Sequence, residues 1–162
     1  MNYYNYSSSD TFRRFCPIVI AGMAGGMAEI LWIAFYGFFS AVDLVEVARQ
    51  VSVTVIPATA DAYYAPALGL VIHLLLSIAL AATFSYTVLP PLYRRFGPQG
   101  VFLGSLLTLA LVWKMNFFLV LPLINASFIS VVPLFVTLIS KLSFGAAMAA
   151  VLVAMRPVAH AE

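Results

Sequence analysis

Residues 89–98 read Leu-Pro-Pro-Leu-Tyr-Arg-Arg-Phe-Gly-Pro, and how this stretch behaves decides the fold. It joins two apolar runs, 67–89 and 100–122, each close to the ~20 residues that cross a bilayer as a helix. Paired prolines end a helix, Gly97-Pro98 makes a turn, and Tyr93, Arg94 and Arg95 suit the headgroup layer. The spacing predicts a hard stop at the prolines and a tight antiparallel hairpin of two spans.

Apolar runs at 16–39 and 131–155 flank this hairpin, and Pro122 and Pro133 bracket a short turn before the last. The chain has 162 residues, 64% hydrophobic and 9% charged, against about 45–50% apolar and about 25% charged for soluble domains. Its mean hydropathy is +1.04. These values predict an all-α integral membrane protein: one domain over 1–162, built as an antiparallel bundle of four transmembrane helices in the lipid bilayer. The net charge of +2 is small and scattered, which excludes a nucleic-acid partner. Cys16 is the only cysteine, so no disulfide, CxxC pair or cysteine metal cluster can form within the chain, and it reads as a small buried thiol. Residues 1–10 are polar and tyrosine-rich without the features of a secretory signal, so the first apolar run reads as a retained span.

Positive charge sets the expected orientation. Arg13 and Arg14 precede the first run, Arg94 and Arg95 separate the second and third, and Arg156 follows the fourth. The segment between the first two runs carries only Arg49 against Asp43, Glu46 and Asp61. By the positive-inside rule both termini and the 90–99 connection are cytoplasmic, and 40–66 and 123–130 face outward. Within the outer segment, 41–56 reads as a short amphipathic helix, with Ser40 as its cap and Leu44, Val47, Ala48 and Val51 on one face. It lies on the membrane, docks a partner, or covers the mouth of the bundle. The sequons at Asn5 and Asn125 are unconvincing, one on the cytoplasmic side and one in a membrane-hugging turn. No internal repeat is visible, which weighs against the repeat architecture of secondary transporters.

Each apolar run carries one ionisable residue: Glu29, His73, Lys114 and Lys141. At about 1.5 Å per residue all four fall ~20–24 Å above the inner boundary, in one slab. An ionised group at mid-membrane costs roughly 2.5–3.5 kcal/mol, so these residues require one another, water, a ligand or a partner. Small residues mark packing faces: Gly22 and Gly26 in GxxxG spacing on the face of Glu29, Gly69 and Ser77 in line with His73, Gly104 in the third run and Gly145 one turn from Lys141. Lys114 and Asn116 lie roughly 160° apart on the helix, so either one can face the bundle.

The layer admits three readings. In a structural one, Glu29 pairs with one lysine, the other lysine snorkels, and His73 is satisfied by Ser or backbone. A conduction or binding reading makes Glu29 and His73 a proton relay, or uses the excess positive charge to hold an anionic lipid headgroup or small anion. In a partner reading, one of the charges pairs across a subunit interface. The sequence offers no HExxH, GxSxG, paired intramembrane aspartates or glycine-rich phosphate loop, and a single intramembrane histidine cannot supply both axial ligands of a haem. No catalytic residue, cofactor or metal is expected.

His73, Ser77, the 90–99 hairpin, Gly100, Gly104, Trp113, Asn116 and Pro122 together resemble the small four-helix bacterial inner-membrane proteins of the YagU type. The resemblance covers the second to fourth runs. It implies a compact four-helix bundle in a bacterial inner membrane and confers no catalytic residue; Lys114 and Lys141 are not part of it. The expectation is a non-enzymatic accessory or structural subunit of a larger membrane complex, such as a respiratory or energy-transducing one. The alternative is a small transporter or proton- or ion-conducting protein working through the Glu/His/Lys layer.

Overall fold

The computed structural model describes residues 8–155, with side chains from Phe15 onward. The tyrosine-rich start, the sequon at Asn5, Arg156 and His160 lie outside the described residues, as do the side chains of Arg13 and Arg14. The helices are α1 (Ser8–Phe38), α2 (Leu44–Val55), α3 (Ala65–Thr83), α4 (Leu89–Met115), α5 (Leu121–Ile124), α6 (Ala126–Val131) and α7 (Leu134–Ala154). No strand occurs among the described residues. Three helical runs are long and apolar enough to cross a membrane: Phe15–Phe38, Ala65–Ile124 and Leu134–Ala154. That is compatible with a multi-pass membrane protein.

The middle run corrects the expected stop at Pro90-Pro91, because helix continues through both prolines. A proline ring normally clashes with the carbonyl four residues back and leaves it without its N–H partner. Here a π turn, Phe84–Val88, precedes the pair, and the Leu89 N–H reaches back to the Phe84 carbonyl. The widened turn takes the carbonyls of Tyr86 and Thr87 out of the regular pattern, and the prolines enter at the first turn of α4, where a missing N–H costs least. A second π turn, Asn116–Val120, precedes Pro122 in the same way. The run breaks instead at Gly97, whose φ of 62° and ψ of −155° lie where glycine meets no Cβ penalty.

Packing sets the neighbours. α1 lies between α3 and α7 and is antiparallel to both: Gly22 meets Ile78 while Gly26 meets Ser77, and Gly25 meets Phe144 while Trp32 bonds the Val136 carbonyl. α4 packs antiparallel on the other flank of α7, where Ser105 bonds the Gly145 carbonyl and Trp113 bonds Thr137. Of the glycines expected at packing faces, Gly22, Gly26 and Gly145 sit at these approaches, whereas Gly104 faces Leu92 of its own helix. A Cβ at Gly22 would come 2.5 Å from Ile78 Cα, one at Gly26 2.7 Å from Ser77 Oγ, and one at Gly145 3.2 Å from the Ser105 carbonyl. The buried core, including Ala21, Ala81, Phe84, Val101, Leu109, Phe144 and Met148, fills the half of the bundle nearer Gly97.

The other end is closed by α2, which starts three residues beyond the segment's expected start. Asp43 is its cap, its Oδ1 accepting from the N–H groups of Val45 at 2.9 Å and Glu46 at 3.3 Å, whereas Ser40 only accepts from Val42. A carboxylate at this position also meets the positive end of the helix dipole, which favours Asp43 over Ser40. The helix packs on α3 so closely that a Cβ at Gly69 would overlap the Ala48 carbonyl. The turn expected at 123–130 is largely helical, forming part of α5 and α6, and is tied to α2 by Asn125, whose Nδ2 donates to Gln50 Oε1 and Thr54 Oγ1 at 2.9 Å each. Buried and bonded in this way, Asn125 is not presented as a glycan acceptor.

Gly69→Ala is expected to cost about 1–3 kcal/mol, because its Cβ meets backbone that cannot yield without moving α2. Gly104→Ala should cost less, since there the obstacle is the flexible end of Leu92. Unfolding in SDS followed by circular dichroism reads both; equal midpoints for the two variants would contradict the placement of α2.

Candidate functional site

Glu29 comes from the middle of α1, on the face whose glycines admit α3 and α7, and is only 9% exposed. Lys141 on α7 lies opposite, its Nζ 2.8 Å from Oε1 and 2.8 Å from Oε2 of the carboxylate. The Ser140 hydroxyl has one hydrogen, which it donates to the Thr137 carbonyl at 2.8 Å, while its oxygen lies 3.4 Å from Glu29 Oε1. Beneath the ammonium, the Phe144 ring stands 6.0 Å away, in space left open by Gly25. Carboxylate and ammonium neutralise each other inside the bundle.

His73 approaches from α3. Its Nε2 is 3.3 Å from the Gly26 carbonyl and 3.9 Å from Glu29 Oε2. A carbonyl only accepts, so Nε2 carries the hydrogen in that bond. Ser77, one turn on, donates to the His73 carbonyl at 2.7 Å and packs under Gly26. Gly26 thus serves twice, as a gap for Ser77 and as the acceptor for the imidazole.

The fourth member of the expected layer is elsewhere. Lys114 is exposed on a stripe of α4 with Leu107 and Leu111, 63% and 60% exposed. Among the described residues it has no hydrogen bond or ion pair. The cause is the rotation of α4: Trp113 Nε1 donates to Thr137 Oγ1 at 2.9 Å, and this link turns the next residue away from α7. Asn116, round the other side of the helix, faces inward instead. The expected surplus of one positive charge is therefore absent from the cluster and stands on the outside of the bundle.

Two clefts flank the ion pair. One, of ≈ 420 Å³, lies between α1, α2 and α3 and is apolar apart from Glu29 and His73 at its edge. The other, of ≈ 280 Å³, lies between α3 and α4 with α7 behind it, and its polar lining is Thr54, His73, Ser77, Asn116 and Lys141. His73 borders both. Neither cleft was legible in the sequence, nor was the part of Ser140; its one local signal is a hydroxyl beside an intramembrane lysine. Among the described residues no three His, Cys, Asp or Glu side chains gather as a metal-holding group.

No protein-family model, curated protein or solved structure matches the chain.

Removing one member of a buried pair strands the other, at about 3–5 kcal/mol. Glu29→Leu should lower stability by that amount, and Glu29→Leu combined with Lys141→Met should recover most of it. SDS unfolding of the two variants checks this; a double variant as unstable as the single would show that the two charges are not coupled.

Proposed function

We propose that the chain is a non-enzymatic accessory subunit of a larger membrane complex, crossing the membrane four times. The helical run Ala65–Ile124 supplies two of the crossings by folding at Gly97. The exposed Arg94 and Arg95 next to that corner support a cytoplasmic position for it, and hence for both termini, by the positive-inside rule. A bacterial inner membrane is the setting implied by the YagU-type resemblance.

Lys114 carries this reading. It stands among exposed leucines, ~15 Å along the helix axis from the outer end of α5 at about 1.5 Å per residue. A charge there costs roughly 2.5–3.5 kcal/mol unless something compensates it. A carboxylate on a neighbouring membrane helix does so. A second copy of this chain meeting face to face would bring lysine against lysine, and Glu29 is already engaged by Lys141. In this reading the partner is a different chain with an acid at matching depth.

Extraction in mild detergent followed by sizing and mass spectrometry should show the chain in a complex with other membrane polypeptides, and Lys114→Leu should release it. Migration of the natural chain as a lone bundle would overturn the subunit reading.

A second reading is favoured by the position of His73 between the two clefts, 3.9 Å from the Glu29 carboxylate. That arrangement suits a small conducting protein with Glu29 and His73 as relay groups. In liposomes, Glu29→Gln and His73→Leu should then lower proton flux at least ~10-fold, the loss expected when a positioned proton-transfer group is removed. Flux equal to that of protein-free vesicles for the natural chain would exclude conduction.

A further inference from the structure

The cleft between α3 and α4 contains hydrogen-bonding capacity that the protein does not use. An ammonium has three hydrogens, and the bonds of Lys141 run only to the two oxygens of Glu29. Asn116 borders the same cleft, and its side chain has no hydrogen bond among the described residues. In an apolar setting, unbonded amide and ammonium hydrogens are costly, and they gain most from an acceptor delivered to them.

Charge defines what that acceptor can be. Glu29 lines the other cleft but neutralises Lys141 at 2.8 Å, so an incoming anion would feel repulsion from the nearby carboxylate and a cation would meet the ammonium. A neutral oxygen acceptor suffers neither repulsion. Thr54, His73 and Ser77 are the other polar members of the lining, and the remainder is apolar and includes the rings of Phe117, Phe128 and Phe144. The volume of ≈ 280 Å³ suits a headgroup or ring rather than a whole lipid. Leu76 and Val55, 55% and 52% exposed, stand at the lip, so the cleft opens sideways.

We propose that this cleft binds a neutral, membrane-soluble molecule through a carbonyl oxygen, with Asn116 and Lys141 as the donors and the phenylalanine rings as the walls. The site needs no partner chain and stands independently of the subunit reading. Two classes of membrane molecule present such an oxygen: isoprenoid quinones and the ester groups of glycerolipids.

Trp113 reports on the site, since its ring lies 5.9 Å from that of Phe117. With Trp32→Phe, it becomes the single tryptophan of the chain. The full chain in mild detergent, titrated with decylubiquinone, should show saturable quenching of Trp113. Asn116→Leu should raise Kd ~10-fold, equivalent to one lost hydrogen bond. Val112→Phe, which fills the cleft, should abolish saturation, and Lys114→Leu should leave Kd unchanged. The lipid arm uses native mass spectrometry of the chain exchanged into diacyl or dialkyl-ether phosphatidylcholine. Retention of the ester lipid but not the ether lipid, lost with Asn116→Leu, assigns the site to glycerolipid.

Saturation in the quinone arm alone assigns it to quinones. Asn116→Leu deletes no packed apolar group, so it decides the matter should Val112→Phe fail to fold. Non-saturable quenching together with equal retention of ester and ether lipids would overturn the proposal, as would a Kd unaffected by both cleft variants.

Discussion

A carboxylate on α1 and an ammonium on α7, 2.8 Å apart and largely withdrawn from the surroundings, set the terms for the rest of this bundle. Neither group is tolerable alone in an apolar interior, so the register of the two helices is constrained to the one that joins them. The glycines follow from that register. Gly25 makes room for Phe144 below the ammonium, and Gly22 and Gly26 draw α3 close enough for His73 to reach the Gly26 carbonyl. Apolar packing alone is weakly directional, whereas the Glu29–Lys141 ion pair selects one alignment.

The far flank is organised differently. α4 is held to α7 by neutral bonds, Ser105 to the Gly145 carbonyl and Trp113 to Thr137, and it has no comparable contact with α3. The outcome is an open side rather than a closed four-helix barrel, with Asn116 turned into the gap and Lys114 turned out. The π turns at Phe84–Val88 and Asn116–Val120 belong to the same economy of shape. They let proline-containing helix continue to the Gly97 corner on one side and into α5 on the other, and the second places Asn116 and Phe117 at the cleft.

Much of this was legible from residue types alone. Composition and run length identify the apolar helices, the small residues at Gly22, Gly26, Gly69, Ser77 and Gly145 mark close approaches between helices, and the rarity of charge in apolar helix singles out Glu29, His73 and Lys141. The misreadings have definite causes. Pro90-Pro91 looked like a stop because proline chemistry is local, yet the turn that accommodates it depends on how the preceding helix is wound. Ser40 looked like a cap because the type is right, but the chain path brings Asp43 to the helix start. The sequence leaves the facing of Lys114 open, because depth can be counted along a helix, while facing cannot be settled by counting when Lys114 and Asn116 offer opposite solutions.

Sequence by itself determined what must be paired: a helical, apolar chain with a carboxylate, an imidazole and two ammonium groups at similar depth, each too costly to leave unattended. Tertiary structure alone decided which were paired with which. Lys141 took Glu29, His73 took a backbone carbonyl, and Lys114 was left outside. Depth follows from the fixed rise of a helix and is written in one dimension. Partnership depends on rotation about each helix axis, which is set by contacts between residues far apart in the chain, such as Trp113 with Thr137.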